Sequence, residues 1–319
     1  MKKRIPTVDA NLYIQGSLKE KKEFIQNFGS ALKEFGFVIL EGHNVSTELI
    51  QNTYQSIRHF FGMPLEQKLK YVDPSGWGKR GYTSFGKEKA KYNSIVDLKE
   101  FWHTGRENFT CENSKHKYPK NIWLENDDFN FHKNLTDLYN TLDELAKILL
   151  MSLSEYLNLP KFTLSKMIVD GDSVLRALHY PALTEAQASS GALRAAEHED
   201  INFLTILCEA TESGLQILTR DGTWIDVETE AHQMVIDSGD MLSRITNGVI
   251  PSTTHRVINP NKSHNVPRFS CPFFIHAHEN CELKMLGNCV SPSFPFQYEP
   301  ITAGAFLRER LRANGLGGN

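Results

Sequence analysis

The sequence predicts a mainly β fold with flanking helices, a sandwich or jelly roll preceded by a helical region. One observation is a series of short apolar runs after about residue 172, separated by turn signals such as Arg220-Asp-Gly222. The other is the 3.6-residue spacing of apolar side chains in the first half of the chain. Seven or eight short strands at this spacing are typical of sandwiches and jelly rolls.

The helices are predicted from apolar faces and capping residues. Residues 18–35 place their apolar side chains on one face, and Ser46 suits the N-cap of a helix that runs to Phe61. The clearest helix covers residues 131–157 and is stopped by Pro160, and residues 303–313 form a last one. A buried strand at 37–40 and a long loop at 72–95 complete the first half.

The predicted β unit contains short apolar runs that are rich in β-branched and aromatic residues. They are Val174–Tyr180, 203–208, 214–218, 224–227, 234–236, 253–258 and 268–275.

Composition restricts the class of protein. The 319 residues are 40% hydrophobic and 23% charged, with a net charge of −3, so neither a nucleic-acid nor an acidic-membrane partner is expected. No apolar run reaches the roughly 20 residues of a membrane span. The five cysteines are scattered without a CxxC pair, which favours free thiols in a reducing cytoplasm over disulfides or a zinc finger.

A possible metal site begins with His198-Glu-Asp200. Residues two apart in a strand point to the same face, so His198 and Asp200 could bind one ion together. A second imidazole is needed from a neighbouring strand, and His255 fits because it lies in the strand-like run Thr253-Thr-His-Arg-Val257. Two imidazoles and one carboxylate are the ligand set of mononuclear iron(II) oxygenases.

A possible anion site lies in Arg268-Phe-Ser270. Two polar side chains share one face of an otherwise apolar strand there, and a buried arginine is costly unless it meets an anion. A guanidinium binds a carboxylate through two parallel hydrogen bonds, and the serine hydroxyl can add a third.

These segments together resemble the isopenicillin-N-synthase-like family of iron(II)- and 2-oxoglutarate-dependent oxygenases, over nearly the whole chain. The matching pieces are IPTVD (5–9), GFVIL (36–40), FFGMPLEQK (60–68), RGYTSFG (80–86), DLKEFW (97–102), EHEDINFLTIL (197–207), GLQIL (214–218), DGTWIDV (221–227), SGDMLSRITNGVIPSTTHRV (238–257), RFSCPFF (268–274) and PITAGAFLRERL (300–311).

The resemblance implies a double-stranded β-helix (jelly roll) and a role for each matched site residue. It implies that His198, Asp200 and His255 ligate iron, that Arg268, Ser270 and Tyr180 hold the distal carboxylate of 2-oxoglutarate, and that Phe274 lines the substrate pocket. It also implies one catalytic unit over residues 1–319. Within it, residues 1–170 are mostly helical, 171–280 form the jelly-roll core, and 281–319 end in a closing helix.

The implied activity is oxidation of a small molecule with Fe(II), 2-oxoglutarate and O₂, with ascorbate as the reductant in vitro. Succinate and CO₂ are released, and a ferryl species hydroxylates, desaturates or cyclises the substrate. Amino acids, peptides, small acids and natural-product intermediates are all open as substrates. A monomer or weak oligomer is expected.

Two other functions are open. An isopenicillin N synthase-type oxidase uses no 2-oxoglutarate, but such enzymes carry a glutamine near the carboxy terminus that reaches the metal. Here the last glutamine is Gln297, and none follows it. A jelly-roll module that binds a carboxylate without turnover is the other alternative, and it does not need a metal triad.

The substrate is expected to be anionic because the loop over the iron face is rich in cations. Arg80 is the preferred contact, with Tyr82 beside it. The cationic and aromatic residues of this stretch are Lys79, Arg80, Tyr82, Lys87, Lys89, Lys91, His103 and Arg106, against Glu88, Asp97, Glu100 and Glu107.

Overall fold

The computed structural model of the protein describes residues 4–75, 78–87, 96–111, 114, 118–292 and 295–313. Lys89 and Lys91 of the predicted cationic loop lie outside the described residues. The helices are α1 (Asn11–Ile14), α2 (Leu18–Phe35), α3 (Thr47–Gly62), α4 (Leu65–Leu69), α5 (Phe131–Tyr156), α6 (Thr163–Met167), α7 (Glu185–Ser189), α8 (Asp240–Ile245) and α9 (Ala303–Ala313), with single 3₁₀ turns at Lys262–His264 and Gly287–Cys289.

Helix α2 begins and ends at residues that suit those positions. The Ser17 hydroxyl accepts from the Glu20 amide, and the Glu20 carboxylate accepts from the Ser17 amide, which forms a capping box. Gly36 ends the helix at a φ of 70°, where only glycine is unstrained. A side chain there would also collide with Thr253, whose hydroxyl donates to the carbonyl of Phe35 at 2.8 Å. The end of α2 is thereby tied to the segment that leads into His255.

Two β-sheets form a jelly roll. The larger sheet has the order β1-β2-β10-β7-β13-β5-β4-β3, with β12 also paired to β5, and the smaller has the order β6-β11-β8-β9. The strands are β1 (Thr7–Asp9), β2 (Phe37–Glu41), β3 (Gly81–Thr83), β4 (Glu100–Gly105), β5 (Val174–Tyr180), β6 (Ala195–His198), β7 (Leu204–Leu207), β8 (Leu215–Leu218), β9 (Trp224–Asp226), β10 (Met234–Ser238), β11 (His255–Val257), β12 (Arg268–Ser270) and β13 (Pro272–Ile275).

The two faces of the larger sheet belong to different cores. One face packs against α2, α3 and α5, and side chains such as Trp102 and Leu175 belong to that helix-facing core. The other face lines the inside of the jelly roll, where Phe101, Leu178 and Tyr180 meet side chains of the smaller sheet. Which face a side chain takes therefore decides whether it can reach the site.

The structure differs from the predicted order of helices followed by strands. Strands β1 to β4 come from the first half of the chain and pair within the large sheet, and β3 lies inside the predicted loop at 72–95. Strand β4 is missing from the sequence prediction because all six of its residues are buried, which removes the period-2 pattern. The predicted strand at 268–275 divides into β12 and β13.

Candidate metal centre

His198, Asp200 and His255 converge at one end of the smaller sheet. His255 at the start of β11 pairs directly with His198 at the end of β6. The Nε2 atom of each histidine lies 3.9 Å from Asp200 Oδ1, and the three ligand atoms lie within 4.8 Å of one another. One ion with bonds of roughly 2.0–2.2 Å can bridge a 3.9 Å gap, and the half-buried His198 ring can turn to close the third.

Both histidines are oriented through their other ring nitrogen. His198 Nδ1 lies 2.7 Å from the carbonyl of Ala196, and His255 Nδ1 lies 3.1 Å from the carbonyl of Thr253. A carbonyl can only accept, so each Nδ1 carries the proton and each Nε2 presents a lone pair to the ion. Burial lowers the pKa of His255, which favours the neutral imidazole that a metal requires.

Asp200 is held from two sides. It lies beyond the end of β6, so the predicted strand pairing with His198 does not extend to it. The Thr205 hydroxyl donates to Asp200 Oδ2 and accepts from Asn202 Nδ2 at 2.8 Å, which leaves Oδ1 facing the histidines. The amide of Asp240, at the start of α8, donates to the carbonyl of Asp200 at 2.7 Å.

A buried carboxyl group lies behind His255. Asp237 Oδ2 is 3.7 Å from His255 Nδ1, and neither oxygen of Asp237 has a hydrogen-bond partner among the described residues. Burial raises the pKa of Asp237 well above its ordinary value, and the neighbouring Asp200 adds to this effect. A second negative charge next to the ligands is therefore avoided.

The predicted carboxylate-binding residues occupy adjacent strands. Arg268 pairs with Tyr180, and Ser270 pairs with Leu178, so all face the inside of the jelly roll. The Arg268 side chain is 2% exposed, its Nε donates to the carbonyl of Glu212 at 2.9 Å, and it has no ion-pair partner among the described residues. A buried guanidinium without a carboxylate is the arrangement expected of an anion site.

Arg268 also lines a cavity of about 600 Å³. Inner-face side chains such as Leu207, Leu215 and Val235 form part of its wall. Of the site residues predicted from the sequence, only Arg268 lines it, so this cavity marks the arginine end of the jelly roll and not the metal end.

The donor set fits iron(II), since two neutral imidazoles and one carboxylate on one side of an ion leave its other positions open. Comparison with known proteins agrees. Residues 171–277 match the 2OG-Fe(II) oxygenase superfamily, and residues 5–126 match the family described as non-haem dioxygenase in morphine synthesis N-terminal. A crystal structure of a 2OG-Fe(II) oxygenase family protein from Caulobacter crescentus is 38% identical, covers 96% of this chain and 97% of its own, and superposes with a TM-score of 0.86. The chain belongs to the 2OG-Fe(II) oxygenase family.

Two further relatives show which cofactors go with this 2OG-Fe(II) oxygenase fold. Neurospora crassa T7H, solved with α-KG (2-oxoglutarate), is 26% identical over 97% of this chain and 96% of its own, with a TM-score of 0.86. The same protein was also solved with α-KG and thymine. A 2-oxoglutarate-dependent dioxygenase from a Dothideomycetidae species is 27% identical over 81% of this chain and 79% of its own. This chain is accordingly an Fe(II)- and 2-oxoglutarate-dependent dioxygenase.

The structure contradicts two of the predicted substrate contacts of this oxygenase. Tyr82 lies opposite Trp102 on the helix-facing side of the sheet, is fully buried, and donates its hydroxyl hydrogen bond to Glu100. Arg80 is 2% exposed, and its Nη2 lies 2.6 Å from Asp172 Oδ1. Its charge is already matched within the protein, so it does not serve as the counter-ion of a substrate.

Phe274 does face the inside of the oxygenase. It is half-buried and pairs across the sheet with Thr205, the residue that hydrogen-bonds to Asp200. Sequence reasoning missed Thr205 and Asp237, and it left Arg176 unmentioned. One signal was available for Arg176, because it lies four residues before Tyr180 in a predicted strand and so shares its face. Across the described ranges, no helix has both the length and the apolar composition that crossing a membrane requires.

Proposed function

We propose that His198, Asp200 and His255 hold the catalytic Fe(II) and that Arg268, Ser270 and Tyr180 bind the distal carboxylate of 2-oxoglutarate. The observation that supports this most strongly is the orientation of both imidazoles, whose Nδ1 protons go to backbone carbonyls while Nε2 faces Asp200. Bound iron supplies the oxidation of a C–H bond with O₂ and 2-oxoglutarate; the chain holds, orients and encloses the reactants.

The substrate of this proposal is a small molecule that reaches the open face of the metal from inside the jelly roll, next to Phe274. The T7H complex with thymine supports a small substrate, because that relative accommodates one within the same fold. Hydroxylation is the default outcome. An anionic substrate is part of the proposal, although Arg80 is paired with Asp172 and another cation must then bind it.

The oxidase alternative has less support. The glutamine it would need, Gln297, is exposed and donates its amide to the sulfur of Met285 at 3.4 Å. A module without turnover is also disfavoured, because a carboxylate binder has no use for two oriented imidazoles and an aspartate.

We further propose that the whole chain acts as one catalytic unit in a reducing cytoplasm, without nucleic-acid or membrane partners, as a monomer or weak oligomer. The single unit is supported by the large sheet, in which strands from residues 1–170 pair with strands from 171–280. The reducing compartment is supported by the free thiols, since Cys111, Cys208, Cys271, Cys281 and Cys289 are all unpaired.

The function is tested by supplying Fe(II), ascorbate, O₂ and 2-oxoglutarate and measuring succinate. Small candidate substrates are then screened for a mass gain of one oxygen. We expect succinate formation that stops on chelation and returns with Fe(II). Protein that consumes no 2-oxoglutarate but cyclises a thiol tripeptide would establish the oxidase instead.

A further inference from the structure

Arg176 is a cation on the inner wall of the jelly roll. Its strand neighbours Leu175 and Ala177 belong to the helix-facing core, whereas Leu178 and Tyr180 belong to the inner core. Because side chains alternate along a strand, Arg176 points to the inside together with Leu178 and Tyr180. None of the roles assigned above uses it.

The Arg176 guanidinium is held in one place by its contacts. Its central carbon lies 4.5 Å from the ring centre of Phe101 and 5.1 Å from that of Phe274. Its Nε lies 2.6 Å from Nε2 of His103, the residue opposite it on β4. An arginine Nε–H can only donate, so His103 Nε2 accepts and His103 Nδ1 donates to the carbonyl of Gly78 at 2.8 Å.

This arrangement defines which edge of the guanidinium can meet a ligand. The imidazole takes the Nε side, and the two rings cover the planar faces. The remaining edge carries Nη1 and Nη2, the parallel pair of N–H donors that matches the two oxygens of a carboxylate.

The position of Arg176 suits a substrate at the metal. Thr205, which hydrogen-bonds to Asp200, pairs across the sheet with Phe274, whose own neighbour on the next strand is Val174. Arg176 thus lies two strand spacings from Thr205, about 10 Å. Along its own strand it is four residues from Tyr180, about 13 Å, so it is separate from the Arg268 end.

Nearby negative charge is already neutralised. Asp172, four residues before Arg176, forms its ion pair with Arg80 at 2.6 Å. A substrate carboxylate at Arg176 therefore meets a cation without an unpaired carboxylate from Asp172 beside it. The pair also explains why a cation-rich segment can favour an anion although Arg80 itself does not bind it.

We propose that Arg176 binds the carboxylate of the primary substrate, which is a small carboxylic acid with an apolar body packed against Phe274. The inference rests on the proposed iron and 2-oxoglutarate roles. The carboxylate then serves as the fixed end of the substrate, and the C–H bond that reacts lies toward the metal, within the roughly 10 Å between the two.

The test uses matched acids and amides: phenylacetate with phenylacetamide, and cyclohexylacetate with cyclohexylacetamide. Each is titrated anaerobically into the full-length protein loaded with Fe(II) and 2-oxoglutarate, and binding is read from the change in the visible charge-transfer band. The variants are Arg176→Gln and Arg176→Lys, and Arg220→Gln is the control because Arg220 is an exposed arginine.

In the parent and in Arg220→Gln, an acid should bind about tenfold or more tightly than its amide, the scale of one charged hydrogen bond. Arg176→Gln should lose that preference while keeping the band, and Arg176→Lys should recover part of it. A parent without acid preference, or an Arg176→Gln variant that retains it, overturns the carboxylate role and leaves the iron assignment intact. Absence of the band from the parent overturns the proposed function itself.

Discussion

Replacing Arg268 with methionine separates cosubstrate binding from folding. Methionine keeps much of the side-chain length and removes the charge. Loss of a buried, charged, two-pronged contact should weaken 2-oxoglutarate by roughly 2–4 kcal/mol, which is about 30- to 900-fold in Kd. The protein without ligand should lose little stability, because the guanidinium is buried without a carboxylate and only its hydrogen bond to the Glu212 carbonyl disappears.

The assay is anaerobic urea unfolding with Fe(II), with and without 2-oxoglutarate at about 100 times the parent Kd. The parent should gain about 2.7 kcal/mol in free energy of unfolding from the ligand. A variant with a Kd about 100-fold weaker should gain only about 0.4 kcal/mol.

Arg256→Met is the matched control for this measurement. Arg256 also lies on a strand, stacks over Trp224 and pairs with Glu197, but it faces solvent at the smaller sheet. It should keep the full ligand-induced gain. If Arg268→Met keeps that gain as well, Arg268 does not bind the cosubstrate carboxylate.

Three other substitutions test the surroundings of the site. Ser270→Ala should weaken 2-oxoglutarate by about 1 kcal/mol in the same assay, since one neutral hydroxyl bond is lost; an unchanged Kd would remove Ser270 from the cosubstrate site. Thr205→Val should weaken Fe(II) binding about 10- to 100-fold by anaerobic titration, because Asp200 Oδ2 loses its donor; unaltered iron affinity would show that this bond is not needed. Glu100→Gln should lower the free energy of unfolding by about 3–5 kcal/mol, because it leaves buried Lys68 without its counter-charge at 2.9 Å; a loss under about 1 kcal/mol would contradict that account.

The long helices and one central strand were predictable because their patterns are local. Residues 18–35 form α2 with the predicted bounds, and the run Val174–Tyr180 is strand β5. In both, the spacing of apolar residues and the flanking caps or turns contain the information. The ligand triad was identified from residue types and their spacing, and the measured distances bring its three members together.

The errors arise where pairing between distant segments decides the outcome. Tyr82 was predicted to contact the substrate, but the register of β3 against β4 turns it toward the helices. Arg80 was predicted to be available, but Asp172, 92 residues away, neutralises it. Asp237 lies within a short apolar run, and only the folding of β10 behind His255 gives it a role near the metal. A single sequence contains no local signal for such contacts.

The most direct test of the account is the visible charge-transfer band of the anaerobic protein with Fe(II) and 2-oxoglutarate. The band requires iron and cosubstrate in one site, so it reports the triad directly. The parent and His132→Ala, a control at an exposed histidine, should both show it. His198→Ala, Asp200→Ala and His255→Ala should each abolish it while remaining folded. If all three variants keep the band, the metal is not held by these residues.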